Sequence, residues 1–321
     1  MDSLQVAHGV AAGQYGVISR AQALRCGIDR LQLRRLLYRG TWVRAYHGVY
    51  RVPGIERGTG RGRLLSATAA AQLALGPAAF VSAETAARLW GMQGLPPWDG
   101  VVHMTVPGAD RRSGVSGITV HTWATDRAEI TGRGGVRATS PGRTLRDTVL
   151  QVDRATALCL LDSALNRQLV AADALPGLAA ANSRRPGATR TRPWWGLADG
   201  RAQSPLETRI RLLCADGGLP PDALQYPFYD VRGRLIAVGD LWWEDLRLLV
   251  EADGRGPHEL PGALLHDRRR QNALQLACPG IRIARFTWAD LEHPSYIPGA
   301  VRGAAGTHLM PVEPGMQHGA P

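Results

Sequence analysis

The stretch from residue 19 to residue 52 leaves the backbone few choices. SRAQALRCG opens on Ser19, a side chain suited to capping a helix, and stops at Gly27. Asp29 can cap a second short helix, DRLQLRRLLYRG, which Gly40 closes. TWVRAYHGVYRVPG follows, aromatic and β-branched, with His47-Gly48 as a turn between two strands. The spacing predicts helix, turn, helix and a two-stranded wing.

Placed on a helix at about 100° per residue, Leu33, Leu36 and Leu37 share one side. Arg30 lies with Arg34, Arg35 lies with Arg39, and all four avoid the leucines. Arg44 and Arg51 fall on the wing. The net charge makes this pattern more than decoration. The chain carries +11, and its 38 basic residues are all arginine. Residues 1–63 hold eleven arginines against Asp2, Asp29 and Glu56, whereas residues 204–292 hold eleven against thirteen acids. A basic front with guanidinium groups on one helix suits a polyanion, and arginine forks onto guanine edges or phosphates. Double-stranded DNA is the expected partner, through Arg30, Arg34, Arg35, Arg39 and Arg44.

The rest of the chain divides by pattern. Residues 64–92 read as Ala-rich helix. Residues 101–124 alternate around a Gly/Ser turn, which suggests a hairpin, and TSPGRTLRDTV starts a helix after Pro141. Residues 182–203 have no periodicity and are rich in Arg, Pro and Gly, the composition of a linker. From Ser204 a helix, two strands (LIAVGDLWW and LRLLVEAD), a helix (ALLHDRRRQNALQLACPG) and a closing strand (IRIARFTW) fit one sheet with flanking helices. The expected domains are 1–58, a winged helix; 59–181, a mixed α+β domain; 182–203, the linker; 204–292, an α/β domain; and 293–321, a loose tail. Cys26, Cys159, Cys214 and Cys278 are too scattered for a zinc knuckle or a disulfide framework. No apolar stretch reaches the ~20 residues of a membrane helix, and the N-terminus lacks the pattern of a signal peptide. The expectation is a cytoplasmic protein with no membrane partner.

The most unusual acids end an apolar strand. In LLVEADG, Glu251 and Asp253 share a strand face by the period of two. Asp240 sits on the preceding strand, across from Glu251 if the turn lies near Glu244-Asp245. Glu207, on the helix before, can reach the same end of the sheet. Such carboxylates repel one another, and a hard divalent cation, Mg²⁺ or Mn²⁺, relieves the conflict. Asp240 and Glu251 are the expected metal ligands, Glu207 and Asp253 complete the acidic site, and His258 is a candidate base.

Two resemblances bear on these readings. Residues 14–52, with VRATSPGRTLRDTV further on, resemble the type IV abortive-infection antitoxins of the AbiEi family, whose winged helix opens a transcriptional autoregulator. In the second segment the matching residues are Thr139, Ser140, Pro141, Arg143, Thr144 and Asp147. Arg143 and Asp147 are four apart, the spacing of a helix salt bridge, and a structural role is expected. Residues 204–292 resemble the PD-(D/E)xK nuclease superfamily, most closely a bacterial domain family related to the very-short-patch-repair (Vsr) mismatch endonucleases. The similarity is carried by Ser204-Pro205-Leu206-Glu207, Asp240, Glu251-Ala252-Asp253-Gly254, His258, Asp267 to Arg270 and Arg285 to Trp288. It implies a restriction-endonuclease-like sheet, with Asp240 as the motif aspartate and Glu251 as the D/E. The motif lysine is replaced by Asp253; Vsr-type enzymes also lack it and use a nearby histidine.

The expected architecture is thus multidomain α+β: an N-terminal winged helix-turn-helix, a mixed middle domain and a C-terminal α/β restriction-endonuclease-like domain. The leading expectation is a metal-dependent DNA endonuclease delivered by the winged helix. The alternative is an antitoxin-like regulator with a toxin partner, its nuclease-like domain inactive.

Overall fold

A computed structural model of the 321-residue chain describes residues 2–55, 58, 60–108, 115–254 and 261–308. The chain forms two compact units, residues 1–198 and 199–321.

The first unit begins with α1 (Ser3–Ala12), β1 (Val17–Ser19), α2 (Arg20–Arg25), α3 (Arg30–Tyr38), β2 (Val43–Tyr46) and β3 (Val49–Arg51). Local signals set these boundaries. Ser19 and Gln22 form a reciprocal capping box: Ser19 Oγ accepts from Gln22 N–H at 3.2 Å, and Gln22 Oε1 accepts from Ser19 N–H at 2.8 Å. Asp29 Oδ1 accepts from Gln32 N–H at 2.7 Å to start α3. Gly27 lets the chain leave α2 at φ +88°, and a Cβ there would meet Ser3 Oγ at 2.7 Å. The strands order as β1-β3-β2, all antiparallel.

That small sheet has two working faces. Ile18 and Tyr50 join Ala7, Ala23, Ile28, Leu33 and Trp42 in the core of the helical bundle. Their neighbours Val17 and Val49, turned the other way by the strand period, pack with Leu64, Leu65, Val81, Val102 and Met104. Residues 1–58 and 59–181, expected as separate domains, therefore share a core.

The middle of the unit continues with α4 (Gly60–Leu75), β4 (Phe80–Val81), α5 (Ala83–Trp90), β5 (Val102–Thr105), β6 (Ile118–His121), β7 (Ile130–Arg133) and β8 (Val136–Thr139). The five strands order as β6-β5-β4-β8-β7. β5 and β6 run parallel, from Val102↔Ile118 to Thr105↔His121, not as the expected hairpin. Alternation fixes which face a side chain takes and says nothing of strand direction.

Next come α6 (Pro141–Val149), α7 (Arg154–Asn166), α8 (Leu175–Ala180) and α9 (Ala188–Thr191), then a 3₁₀ turn over Arg192–Leu197. The supposed linker is thus folded as far as residue 198. Trp194 and Trp195 are buried, and Arg190 lies over the Trp194 ring, 5.2 Å from its centroid. Arg185 Nη2 reaches Asp147 Oδ1 at 2.7 Å, and its guanidinium lies 5.4 Å from the Trp123 ring centroid. One-turn helices held by distant acids and aromatics leave no periodic trace in the sequence.

The second unit contains α10 (Pro205–Asp216), β9 (Ala223–Tyr229), β10 (Leu235–Trp243), β11 (Leu248–Ala252), α11 (Pro261–Ala277), β12 (Arg282–Phe286) and α12 (Tyr296–His308). The sheet order is β12-β11-β10-β9, with β11 and β12 parallel and the other neighbours antiparallel. Leu206, Ile210, Leu241, Val250 and Phe286 form one core; Phe228, Ala237, Trp242, Leu249 and Leu274 of α11 form the other. Residues expected as a loose tail contribute to the first core: Ile297 and Val301 on α12 are fully buried. Pro298 disguised this helix, but it lies in the first turn, where no N–H is needed. β9 had no expected counterpart.

Candidate functional site

The outward face of α3 is the more coherent of two candidate sites. Leu33 is buried, and Leu36 and Leu37 pack beside it, so one side of the helix is committed to the core. Arg34 and Arg35 are exposed on the other side, and Arg30 and Arg39 are exposed at its flanks. Arg44, on the wing strand β2, and Arg51, at the end of β3, are exposed as well. Among the described residues none of these guanidinium groups makes an ion pair or a side-chain hydrogen bond. Elsewhere in the same unit arginines are spent on partners. Arg143 Nε meets both oxygens of Asp147 at 3.0 and 2.9 Å, and its Nη1 lies 2.7 Å from Glu129 Oε2. Arg146 Nη1 lies 2.6 Å from the other Glu129 oxygen. The Arg143–Asp147 pair is therefore a buried brace, the structural role expected of it. The contrast with α3 is chemical: unpaired guanidinium groups repel each other and await an anion. The same face carries Leu31 and Tyr38, 55% and 94% exposed, which the reading of the sequence passed over. The wheel that located the arginines would have found them.

The second candidate is the carboxylate group of the C-terminal unit. Ser204 caps α10 and holds Glu207 at the helix start, its Oγ accepting from Glu207 N–H at 3.2 Å. The Glu207 carboxylate is buried, and Oε2 accepts from Gln203 N–H and Gln225 Nε2, each at 2.9 Å. Burial pushes its pKa up, against the hydrogen bond from Gln203, and the charge of Asp240 adds to the rise. The same Gln225 amide donates to Asp240 Oδ1 at 3.2 Å, and Asp240 Oδ2 accepts from Ala252 N–H at 2.8 Å. Gln225 thus joins the two acids. It lies on the unforeseen strand β9 at φ +52°. Gly239 makes room next door: a Cβ there would come within 2.3 Å of Leu249 Cδ1.

Glu251 goes elsewhere. The pair Leu241↔Val250 puts Asp240 opposite Glu251 one step on, as the sequence suggested. Yet Glu251, buried beside the α11 core, faces two arginines. Arg270 Nη2 donates to Oε1, and Arg285 Nε, on the paired strand, lies 3.0 Å from Oε2. Asp253 follows β11 and donates its N–H to Phe286 O at 2.8 Å. His258 lies outside the described residues. Among the described residues no group of three or more His, Cys, Asp or Glu side chains comes together to hold a metal ion. At the site expected to hold Mg²⁺ or Mn²⁺, both Glu251 oxygens face guanidinium groups, whereas the Asp240 oxygens accept from Gln225 and the Ala252 N–H. Nor is any helix among the described residues long and apolar enough to cross a membrane.

Comparison with known proteins separates the two sites. Residues 10–53 match the family described as "Transcriptional regulator, AbiEi antitoxin". The match spans α2, α3 and the wing. Over 249 residues the chain is 33% identical to "Uncharacterized protein Rv2248" of Mycobacterium tuberculosis (strain ATCC 25618 / H37Rv), covering 77% of this chain and 87% of that protein. The chain belongs to the family of this mycobacterial protein. "Uncharacterized protein MT2308" of Mycobacterium tuberculosis (strain CDC 1551 / Oshkosh) matches with the same identity and coverage. In this chain the match to the antitoxin-type regulator falls on the unit that carries the unpaired arginines.

Proposed function

We propose that the chain is a DNA-binding transcriptional regulator of the antitoxin type. Its winged helix docks α3 on duplex DNA, and the wing contacts the adjoining backbone through Arg44. The observation that carries this reading is the outward face of α3: four exposed guanidinium groups with no partner among the described residues, inside the segment that matches the regulator family. Arginine at such positions neutralises phosphates and forks onto guanine. The antitoxin description of that family supports a toxin as a second partner.

Phosphodiester hydrolysis is the second reading, and one observation favours it: the Gln225 amide joins the buried Glu207 to the half-buried Asp240 in one polar site. The pairing of Glu251 with Arg270 and Arg285 weighs against it. No catalytic step is assigned to these residues.

One experiment separates the readings. The full chain is titrated against the duplex upstream of its own coding sequence, then incubated with supercoiled plasmid and Mg²⁺ or Mn²⁺. The regulator reading expects retention of the duplex, loss of retention when Arg34 and Arg35 are both changed to alanine, and intact plasmid. Metal-dependent nicking that disappears in Asp240→Ala would instate the hydrolase. Failure to retain any duplex would overturn the regulator.

A further inference from the structure

We infer that α3 reads base sequence through an uncharged strip, Leu31 and Tyr38, and that the duplex it selects presents a thymine methyl group to Leu31. This inference rests on the duplex-binding reading above and deepens it.

The geometry is that of one helix face. At about 100° per residue, Leu31 and Tyr38 lie within about 20° of each other, at the centre of the outward side. Arg34 and then Arg30 follow on one flank; Arg35 and then Arg39 follow on the other. Arg30 and Arg39 diverge by roughly 180°, so on a helix laid in a groove they point toward opposite walls. The walls are phosphate, and phosphate contacts set register without reading sequence. The floor is base edges, and the residues aimed there are Leu31 and Tyr38, with Arg34 and Arg35 beside them.

Neither central residue has another task. The core side of α3 is supplied by Leu33, Leu36 and Leu37. Leu31 is 55% exposed and Tyr38 94% exposed. Among the described residues the Tyr38 side chain makes neither a hydrogen bond nor a ring contact. A polyanion surface selected only for charge gains nothing from a leucine between guanidinium groups. A leucine gains free energy only against an apolar edge, and on the floor of the major groove that edge is the C5 methyl of thymine. Tyr38 offers a phenolic hydroxyl that can donate to a base acceptor.

The test starts from a pool of duplexes with a randomised centre, from which the full-length protein selects its site. Each thymine of the selected duplex is then replaced singly by deoxyuridine, which deletes only the methyl group. Binding is measured for the unaltered protein and for Leu31→Ala. At one thymine the replacement should weaken the unaltered protein about five- to ten-fold and leave Leu31→Ala unmoved, a coupling between methyl and side chain. Tyr38→Ala should weaken the selected duplex more than a scrambled one, with the salt dependence unchanged. Arg30→Ala and Arg39→Ala should weaken both duplexes alike, each lowering the slope of log K against log salt by about 0.9. Both central residues are exposed, so their loss leaves folding nearly unaffected.

Equal deoxyuridine effects in the two proteins at every thymine would overturn the inference. So would a selected site without thymine, or a selection that yields no preferred sequence while duplexes are still retained. Retention of no duplex at all appears at the selection step, before any substitution, and removes the regulator reading together with this one.

Discussion

Asp147 is a buried charge of the first unit, tied to two arginines. Its side chain is fully buried and accepts from Arg143 Nε at 3.0 and 2.9 Å and from Arg185 Nη2 at 2.7 Å. Asp147→Ala leaves the Arg143 guanidinium, 4% exposed, with Glu129 as its acid partner. Breaking a buried pair from one side costs about 3–5 kcal/mol, because the surviving charge stays desolvated. Arg185→Ala should cost less, about 2 kcal/mol: it removes a hydrogen bond to the Asp147 carboxylate, one to Asn182 Oδ1 and a cation–π contact, while the Arg143–Asp147 pair survives. The two variants should also differ in where they loosen the protein. Arg185 ties residues 182–198 to α6, so its loss should release amide protection in 188–197 and spare the buried α7. Asp147→Ala should lower protection across α6 as well. The assay is amide hydrogen exchange on the full chain, read peptide by peptide beside urea unfolding, because two units need not unfold together. An Asp147→Ala protein within about 1 kcal/mol of the unaltered one, with α6 protection intact, would refute the argument that this network braces the unit.

Two titrations give further predictions. His121 stacks on Trp123 with centroids 3.9 Å apart, and its Nε2 lies 3.1 Å from His103 Nδ1. Burial, and then the nearby His103, lower its pKa from the ordinary 6.5 to about 4. The unfolded chain therefore binds this proton first, so the contribution of His121 is present above about pH 6.5 and lost as pH falls toward about 4. Urea unfolding at stepped pH should show that loss, and His121→Phe should flatten it; an unchanged slope would count against a buried neutral imidazole. Glu207 has the opposite sign. Its folded pKa is raised, so its contribution is present below the ordinary carboxylate range and lost as pH rises through the raised value. Glu207→Gln keeps an acceptor for Gln203 and Gln225, and should match or exceed the unaltered protein at pH 7 while losing that pH dependence. Marked destabilisation at pH 7 would mean that the negative charge itself is required there.

The legible parts of this chain are those with local causes. The winged helix was readable because Ser19, Gly27, Asp29 and Gly48 each act on their own few residues, and the leucine side of α3 followed from spacing alone. The folded segment at 188–197 was not readable, because Arg185, just ahead of it, is held by Asp147 and Trp123, which only the tertiary fold brings near. The direction of β6 was hidden for a different reason: alternation is blind to it. At the carboxylates the register was legible and the partners were not. Asp240 does lie opposite Glu251, but Arg270 and Arg285 arrive from α11 and β12, and Gln225 from a strand that the sequence did not announce. A pattern of acids predicts that they will be neutralised; it does not say whether by a cation or by arginine.

The proposed regulator requires the exposed arginines of α3 to meet DNA phosphates and bases. The most direct measurement is the affinity of the full chain for its selected duplex across a salt series, for the unaltered protein and for a variant with Arg30, Arg34, Arg35 and Arg39 all changed to alanine. Phosphate contacts release counterions, so log K should fall linearly with log salt, and the variant should lose about 0.9 of slope for each contact removed, together with most of the affinity. A variant that binds as tightly as the unaltered protein, with the same slope, would place the DNA contact elsewhere and contradict the account.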